Sequence, residues 1–532
     1  MGDSESDVAF NVAQWLVDRH VDEGRGERVA VRCEGRSSTY ADVQRSVFAV
    51  QRLLDSLGVA AGDRVAMVVR DDEHFPAFFL GAQRSGVVPV PLSTMLKGDA
   101  LGEIVADSGA RVVVVSAAFA ESVPAIVAGA PEVAYVVVCG ADDASGVDVS
   151  GGGGAGAVEV RSWPAPDGGA DGASAEPMPL AETTRESPAF WLYSSGTTGV
   201  PKGVMHVHGN VPATVETYAE QVLGVGPDDR FLSVAKLFFA YGLGNALTFP
   251  FSQGATAILN PDPPTPPAML ELLRTEQPTL FFSSPGFCAA LLDSSPDPSA
   301  FESVRATVTA GEALPATIHA RFTKLTGTPV LDGIGSTELL HIFISNTIDE
   351  QMAGSSGRPV PGYEAELRGD DDEVIEVSDV PGYLHVRGDS AAVGYHGRPD
   401  ATAGAFREDG WVRTGDVYVR HHRGNLMFLG RNNDMIKAGG IWVSPAEVEA
   451  VLIEHESVLE VAVVGARDSE GLETVVAFVV PASGATVVPA ELESHCRERI
   501  ASFKRPRRIE VVDVLPRTAT GKIKRFELRD SL

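Results

Sequence analysis

Runs of apolar, mostly β-branched residues alternate with helix-length segments in the first part of the chain. Such runs occupy positions 64–69, 86–90, 111–115 and 133–138. The stretch from about 74 to 85 has helical spacing. Apolar runs that lack an alternating polar face are typical of parallel strands covered by helices on both sides. The pattern therefore predicts an α/β fold, and it resumes after residue 189 with strand candidates at 190–193, 279–282, 306–309 and 329–331.

Residues from about 140 to 180 interrupt this alternation. Gly, Ala, Ser and Asp dominate the segment, and Gly151–Gly154 is an unbroken glycine run. A segment of this composition buries little apolar area to offset the conformational entropy that it loses on ordering. We therefore expect a flexible surface insertion that takes no part in the chemistry.

A different pattern begins after about residue 430. Ser444 followed by Pro445 is typical of a helix start, with the serine as N-cap and the proline in the first turn. Strand candidates at 458–464, 475–480 and 509–514 and a helix near 489–500 complete a compact α+β unit of about 100 residues. The sequence therefore predicts two domains, a large one over 1–432 and a small one over 433–532.

The composition indicates a globular protein with an acidic surface. The 532 residues include 43 Lys and Arg against 72 Asp and Glu, a formal charge of −29. Such a chain lacks the basic face that nucleic acids and anionic membranes require, and no apolar run approaches the ~20 residues of a membrane span. The four cysteines lie far apart without zinc or disulfide spacing. These features predict a cytoplasmic protein with no nucleic-acid or membrane partner.

The segment over 193–203 has the composition of a phosphate-binding loop. It reads Tyr-Ser-Ser-Gly-Thr-Thr-Gly-Val-Pro-Lys-Gly, in which glycines admit an anion to the backbone amides, hydroxyls donate hydrogen bonds and lysine supplies charge. It is not a Walker A loop, because Pro201 precedes Lys202 where that pattern has glycine. A mobile surface turn is the alternative for this composition. The candidate phosphate-binding residues are Ser194, Ser195, Gly196, Thr197, Thr198, Gly199 and Lys202.

This loop resembles the signature loop of the adenylate-forming superfamily, which includes acyl-CoA synthetases, peptide-synthetase adenylation domains and luciferases. Further stretches resemble motifs of the same superfamily in the same order, at 309–314, 332–338, 413–416, 430–437 and 516–524. The resemblance implies a large multi-part N-terminal domain with parallel-rich sheets, a small mobile C-terminal domain, and a reaction that uses ATP, Mg²⁺ and coenzyme A.

The residue types in these motifs suit the roles that the resemblance implies. Glu338 follows two hydroxyl residues, and oxygen ligands suit Mg²⁺, although an N-cap cluster is the alternative. Asp416 can accept hydrogen bonds from both ribose hydroxyls. The alternative is a turn aspartate that accepts from its own backbone. Lys522 can neutralise the charge that grows on the α-phosphate as pyrophosphate leaves, whereas a solvated charge run is the alternative. By the resemblance Lys522, Glu338 and Thr337 are catalytic, Glu338 binds the metal, and the nucleotide is also bound by Gly311, Glu312, Asp332, Gly333, Ile334, Asp416, Phe428 and Arg431.

The resemblance also implies a hinge and a thiol path between the two domains. Related enzymes usually have aspartate at the pivot, which aligns here with Asn433. Asparagine keeps the turn preference, so we expect rotation to survive while any ion pair of the aspartate is lost. Lys437, Gly439 and Gly440 are the implied coenzyme A face, where glycines let a pantetheine arm pass close to the backbone.

Two segments, 236–245 and 335–346, resemble the benzoate-CoA ligase branch of the superfamily. By that resemblance a flat aryl pocket is lined by Ala240, Tyr241, Ala310, Gly335, His341 and Ile342. Small residues leave a slot one ring wide, while the alternative is that the aromatic residues are plain core. The sequence does not decide whether His341 points at the ring, at the carboxylate or into the protein.

These expectations together predict an ATP-dependent aryl-CoA ligase. A small aromatic carboxylic acid becomes an aryl-adenylate, and the acyl group then passes to coenzyme A. One rival is an aryl-acid adenylating enzyme that loads the phosphopantetheine of a carrier protein. A second rival is a non-catalytic adenylate-binding sensor, although Lys522 and Glu338 are both present. We expect the enzyme to be a monomer or a homodimer.

Overall fold

The largest sheet of the protein has nine strands and a parallel centre. The computed structural model describes residues 8–149, 157–163, 165, 177–195, 201–438, 441–467, 473–517 and 523–532. In spatial order the strands of this sheet are Arg358–Pro359, Ile342–Ser345, Val330–Gly335, Ala306–Thr309, Leu280–Ser283, Arg230–Ser233, Thr256–Leu259, Val29–Cys33 and Arg36–Thr39. The strands from Val330–Gly335 to Val29–Cys33 are parallel, so their carboxyl ends meet at one edge of the sheet.

The second large sheet has five strands, all parallel, and corrects one prediction. Its spatial order is Val88–Pro91, Arg64–Val68, Val112–Ser116, Tyr135–Cys139 and Glu159–Trp163. The first four strands confirm the interpretation of the valine runs. The fifth lies inside the segment predicted to be a flexible insertion over 140–180, and that prediction is wrong for these residues. Glu159–Trp163 pairs along its whole length with Tyr135–Cys139. Its strand conformation follows from this pairing, which its polar sequence does not indicate.

Two antiparallel sheets carry six of the candidate nucleotide-binding residues, namely Ser194, Ser195, Lys202, Asp416, Phe428 and Arg431. The three-stranded sheet consists of Gly394–Tyr395, Pro201–Val207 and Pro188–Ser195, and the four-stranded sheet of Glu364–Arg368, Gly382–Arg387, Val412–Arg420 and Leu426–Arg431. The predicted strand at 190–193 is therefore an arm of a hairpin rather than part of a parallel sheet.

Helices cover the two parallel sheets. A capping box starts the longest one, where the Thr39 hydroxyl accepts from the Asp42 amide at 3.1 Å and Asp42 accepts from the Thr39 amide at 2.7 Å. The α-helices up to residue 405 are Arg19–Asp22, Tyr40–Ser56, His74–Arg84, Gly98–Ser108, Val123–Gly129, Asn210–Thr214, Ala240–Leu243, Phe249–Gln253, Pro266–Glu276, Pro285–Asp293, Ala316–Thr326 and Pro399–Ala405. A π-helical segment, Gly244–Thr248, joins Ala240–Leu243 to Phe249–Gln253 without a break.

The residues after 435 form a small α+β unit with its own buried side chains. A three-stranded sheet, Val458–Arg467, Glu473–Pro481 and Arg508–Val511, lies beside a ribbon of Ile436–Ala438 and Ile441–Val443 and the helices Pro445–Leu452, Pro489–Arg499 and Arg525–Asp530. The predicted helix start is confirmed, because the Ser444 hydroxyl accepts from the Glu447 amide at 3.1 Å. The last strand begins one residue earlier and ends three residues earlier than the predicted 509–514. The domain boundary at 432 stays a prediction.

All four cysteines are buried thiols. Cys33 and Cys139 lie in strands of the two parallel sheets, and Cys288 and Cys496 lie in helices. Burial raises the pKa of the thiols of Cys33, Cys139 and Cys288 to about 12 and also raises the pKa of Cys496. Within the part of the chain that the structure describes, no helix is long and apolar enough to cross a membrane.

Candidate active site

The phosphate-binding candidates lie on a hairpin whose two arms are held from outside. Ser194 and Lys202 face each other in register, next to the connecting loop. The Tyr193 hydroxyl donates to Asp107 at 2.7 Å, and its ring lies over Gly203, where a Cβ would come within 3.0 Å of it. The side chain of Ser195 and the predicted contacts Gly196, Thr197, Thr198 and Gly199 lie outside the described residues.

Glu338 lies in the loop after the parallel strand Val330–Gly335 and is held by a tyrosine that the sequence did not indicate. The Tyr395 hydroxyl donates to Glu338 Oε1 at 2.9 Å, and the Ala392 amide donates to the Glu338 carbonyl at 2.8 Å. Burial and the nearby carboxylate raise the pKa of Tyr395, so its hydroxyl stays a donor. The adjacent Thr337 carbonyl accepts from His206 Nε2 at 2.9 Å. Both predicted catalytic residues of this loop are therefore tied to neighbouring strands.

The candidate ribose-binding aspartate forms an ion pair across two strands. Asp416 and Arg431 are partners in the antiparallel register, and Arg431 Nε lies 3.0 Å from Asp416 Oδ1. Arg431 also donates to the Thr414 carbonyl at 3.1 Å, and the charge of buried Asp416 raises the pKa of Arg431. Phe428 packs edge-on against Tyr418 with ring centroids 5.5 Å apart, so one side of its ring belongs to the core.

Two adjacent strand ends hold the other nucleotide candidates. Thr309 and Asp332 are register partners at the carboxyl edge of the large sheet, and the Thr309 hydroxyl donates to Asp332 at 3.0 Å. Burial raises the pKa of Asp332 to about 8. Gly311 follows with a φ of +97°, a left-handed conformation that glycine adopts without strain. Glu312 lies 3.9 Å from Arg517, on the C-terminal unit, so that unit reaches this edge of the site.

Tyr241 and His341 are both engaged with the protein itself. The Tyr241 hydroxyl contacts the carbonyls of Val308 at 3.2 Å and Ser283 at 3.3 Å. His341 donates from Nε2 to Asn245 Oδ1 at 3.0 Å, and its ring centroid lies 5.5 Å from that of Tyr241. Burial lowers the pKa of His341 to about 3 against the opposing effect of the Tyr241 backbone, so the imidazole is neutral. His341 Nε2 thus points at Asn245, and the role of His341 toward the aromatic acid stays a prediction.

Two glycines make room for the His341 imidazole and its backbone. A Cβ on Gly244 would lie 2.3 Å from His341 Cδ2, and one on Gly335 would lie 2.5 Å from the His341 carbonyl oxygen. Gly244 begins the π-helical segment, a helix form that is common at functional sites. Gly244 and Asn245 belong to the segment 236–245 that resembles the benzoate-CoA ligase branch, but the sequence did not single out either of them as a site residue.

The remaining pocket candidates differ in accessibility. Ile342 is 1% exposed, with its side chain 3.0 Å from the position of a Cβ on Gly333, and Ala310 is 5% exposed. Ala240 and Tyr241 are only partly buried and pack against the main core. The structure therefore brings Tyr241, His341 and Gly335 together, with Ala240 beside them and Ile342 behind.

The hinge candidate is held by the last helix of the chain. Asn433 lies in the turn Asn432–Asp434, and Arg529 donates to its carbonyl at 2.9 Å. Arg529 also lies 3.1 Å from a carboxylate oxygen of Asp434. Arg529 and Asp434 thus form an ion pair one residue after the predicted pivot, Asn433.

Comparison with known proteins identifies the family. The family described as AMP-binding enzyme matches residues 17–396, and its companion, AMP-binding enzyme C-terminal domain, matches 447–522. The chain belongs to the AMP-binding enzyme family. This result confirms the adenylate-forming resemblance inferred from the motifs.

Relatives of this AMP-binding enzyme cover nearly its whole length. A benzoate–CoA ligase of Thauera aromatica is 40% identical over 98% of this chain and 96% of its own, and a 4-hydroxybenzoate–CoA/benzoate–CoA ligase of Rhodopseudomonas palustris is 38% identical over 98% and 94%. The crystal structure of a benzoate CoA ligase from Burkholderia xenovorans LB400 matches with a TM-score of 0.86 and 38% identity over 98% of this chain and all of that one. These matches confirm the predicted fold class and an AMP-forming acid–thiol ligase that uses ATP and coenzyme A.

The described residues suit a magnesium ion that arrives with the nucleotide. No cluster of three or more metal-binding side chains occurs in the described ranges. Mg²⁺ is commonly held by one or two carboxylates together with substrate phosphates, which is what Glu338 beside the phosphate hairpin offers. Lys522, Gly439, Gly440 and the Lys437 side chain lie outside the described residues, so their roles in this AMP-binding enzyme stay predictions.

Proposed function

We propose that the acid activated by this ligase is benzoate or a substituted benzoate. The observation that supports this choice is that the two polar side chains of the pocket donate their hydrogen bonds within the protein. The Tyr241 hydroxyl donates to backbone carbonyls, and His341 Nε2 donates to Asn245. Ala240 and Gly335 are small residues, and small residues suit a slot for a flat ring. Full-length relatives that carry benzoate and 4-hydroxybenzoate in their names support the same class of acid.

In the first half-reaction the carboxylate of the acid attacks the α-phosphorus of ATP, and the bond to pyrophosphate breaks. Lys202 and the loop over 194–199 bind phosphate oxygens, and Asp416 accepts hydrogen bonds from the ribose hydroxyls. Lys522 neutralises the charge that grows on the α-phosphate. Glu338 would hold the Mg²⁺ that accompanies ATP, and that cation would offset the charge of the phosphates. The product is an aryl-adenylate.

In the second half-reaction the sulfur of coenzyme A attacks the acyl carbonyl, the bond to AMP breaks and the thiol proton is released. We infer that the domain over 433–532 rotates about Asn433 between the two steps, withdrawing Lys522 and presenting Lys437, Gly439 and Gly440 to the thiol arm. The contact of Arg517 with Glu312 supports a pose in which the C-terminal unit faces the nucleotide side of the site. Motion of this kind gates two reactions in one site.

Product analysis tests the proposal directly. The protein is incubated with ATP, Mg²⁺ and a panel of benzoates, short fatty acids and long fatty acids, with and without coenzyme A, and the products are identified by mass. Aryl-CoA made from benzoates alone is the expected result. Aryl-adenylate that accumulates without the CoA ester would favour loading of a carrier protein, and fatty acyl-CoA as main product would refute the choice of acid.

Half-reaction assays test the catalytic lysine. Lys522→Ala should abolish adenylation, measured by pyrophosphate exchange, and leave thioester formation from preformed benzoyl-adenylate largely intact. Lys524→Ala is the matched control, because the Lys524 ammonium lies 2.6 Å from Glu527 in the helix that follows it and should not be needed for either step. Equal loss of both half-reactions in Lys522→Ala would contradict the assignment.

We infer that the enzyme works in the cytoplasm as a monomer or a homodimer. The reduced, buried cysteines support the first part of this inference. Light scattering coupled to size exclusion decides the second, and a mass of more than two chains would refute it.

A further inference from the structure

The segment Val393–Arg398, here called the brace, ties the hairpin of Pro188–Ser195 and Pro201–Val207, the phosphate hairpin, to the loop that carries Glu338. The Val393 amide donates to the Met205 carbonyl at 3.0 Å, and the His396 amide donates to the Gly203 carbonyl at 2.8 Å. These bonds add the short strand Gly394–Tyr395 to the hairpin arm that begins next to Lys202. The brace is therefore bound to the outgoing arm of the phosphate hairpin.

The far end of the brace reaches the incoming arm of the same hairpin. Arg398 donates to Asp107 Oδ1 at 2.6 Å, and Asp107 Oδ2 accepts from the Tyr193 hydroxyl at 2.7 Å. Tyr193 directly precedes the phosphate-binding candidates Ser194 and Ser195. One segment thus holds both arms of the hairpin.

Within the brace, Tyr395 touches two groups to which the proposed function assigns roles. Its hydroxyl donates to Glu338 Oε1 at 2.9 Å, and its ring centroid lies 5.0 Å from the Lys202 ammonium. A hydrogen bond on Oε1 fixes the rotation of the carboxylate and leaves Oε2 for a cation. An ammonium above an aromatic face is attracted to it and loses freedom to swing away.

The tyrosine ring is itself held firmly. It is 8% exposed, packs edge-on against Phe406 with centroids 5.4 Å apart, and its amide donates to the Thr402 hydroxyl at 3.0 Å. A rigid donor limits the positions that its acceptor can take. The Glu338 carbonyl also accepts from the amide of Ala392, the residue just before the brace. The backbone and the carboxylate of Glu338 are thus both held by residues 392–395.

We propose that Tyr395 is a positioning residue for adenylation, whose hydroxyl aims Glu338 at the magnesium ion that accompanies ATP and whose ring orients Lys202 toward the phosphates. This inference rests on the proposed function, since Glu338 and Lys202 have their roles there. Partners that orient a metal-binding carboxylate typically change metal affinity 10–100-fold when removed. The alternative is a tyrosine that merely completes the small core around Val204 and Ala392.

Two substitutions separate the hydroxyl from the ring. Tyr395→Phe keeps the ring and its packing and removes only the bond to Glu338, whereas Tyr395→Leu also removes the aromatic face below Lys202. Tyr383→Phe is the matched control, because the Tyr383 hydroxyl also donates to a carboxylate, that of Asp370 at 2.8 Å, on the exposed loop of the four-stranded sheet. The readout is Mn²⁺ binding to the full-length enzyme with ATP, followed by electron paramagnetic resonance, beside metal-free ATP binding by calorimetry.

For Tyr395→Phe we expect Mn²⁺ to bind at least tenfold more weakly, with metal-free ATP binding and the thioester step from preformed adenylate unchanged. Tyr395→Leu should weaken metal-free ATP binding as well, and Tyr383→Phe should match the wild type throughout. Wild-type Mn²⁺ affinity in Tyr395→Phe would overturn the inference, and because this variant keeps the core packing it decides the question even if the leucine variant fails to fold.

Glu338→Gln distinguishes this failure from failure of the proposed function. If Glu338→Gln loses Mn²⁺ affinity and Tyr395→Phe does not, only the role of the tyrosine is refuted. If Glu338→Gln binds Mn²⁺ like the wild type, the proposed metal carboxylate itself is wrong.

Discussion

Gly244 offers a stringent test, because local and tertiary effects of one methyl group have opposite signs there. Alanine is a better helix former than glycine by about 1 kcal/mol, so helix propensity alone predicts that Gly244→Ala stabilises the protein. The structure predicts the reverse, since the new Cβ would lie 2.3 Å from His341 Cδ2 and 2.7 Å from Nε2. Both atoms belong to a buried ring with packed neighbours on its other faces, including Phe249 at 4.5 Å between centroids.

The magnitude follows from three contributions. Overpacking of a filled site costs about 1–3 kcal/mol, and loss of the buried hydrogen bond from His341 to Asn245 costs about 1 kcal/mol. The gain in helix propensity offsets about 1 kcal/mol, which leaves a net destabilisation of about 1–3 kcal/mol. Because the displaced imidazole pushes on Tyr241, we expect the KM for benzoate to rise about tenfold, the equivalent of 1.4 kcal/mol.

Urea unfolding followed by circular dichroism and initial rates of aryl-CoA formation measure the two effects. Gly404→Ala is the control, since Gly404 lies in the helix Pro399–Ala405 and a Cβ there meets no atom within 4 Å. That variant should be about 0.5 kcal/mol more stable than the wild type with an unchanged KM. A Gly244→Ala variant with wild-type stability and an unchanged KM would refute the account of the pocket.

Three further predictions concern pH, the ribose site and the hinge. Burial lowers the pKa of His20 to about 4, so His20 should contribute a loss of stability of about 1.4 kcal/mol per pH unit as the pH falls from 6.5 toward 4 and the unfolded chain takes up the proton. Burial also lowers the pKa of His206, His208 and His341, so His20→Gln should reduce the slope of unfolding free energy against pH by that amount without abolishing it. Asp416→Asn leaves Arg431 without its ion pair and weakens the acceptor for the ribose, so the KM for ATP should rise about tenfold, and an unchanged KM would exclude that role. Arg529→Ala removes the hydrogen bond to the Asn433 carbonyl and frees the turn. It should slow adenylation, measured by pyrophosphate exchange, about fivefold without slowing thioester formation from preformed adenylate. Equal slowing of both steps would argue against a hinge.

The sequence predicts those parts of the fold that are encoded by continuous local patterns. Val112–Ser116 begins with four consecutive valines, and it lies in the centre of a parallel sheet as expected. Glu159–Trp163 reads as polar, and its place in the same sheet depends on pairing with Tyr135–Cys139, which no local signal specifies. The four-stranded antiparallel sheet was missed for the same reason, since strands such as Glu364–Arg368 mix charged and apolar residues without a long run.

The site shows the same division between motif residues and their supports. Glu338, Asp416 and Arg431 are predicted site residues because their motifs are contiguous in sequence. Tyr395 lies 57 positions from the carboxylate that it holds, so only the folded chain brings the two together. The orientation of His341 likewise depends on the missing side chain of Gly244, a residue that gives no chemical signal of its own.

Burial of all four thiols has a practical consequence for measuring this enzyme. Ellman-type reagents report thiolates, and a thiol that is enclosed and has a raised pKa reacts slowly with them. Cys33, Cys139, Cys288 and Cys496 all meet that description. Disappearance of free coenzyme A can therefore be followed by colour in quenched samples of the native enzyme, with little background from the protein itself.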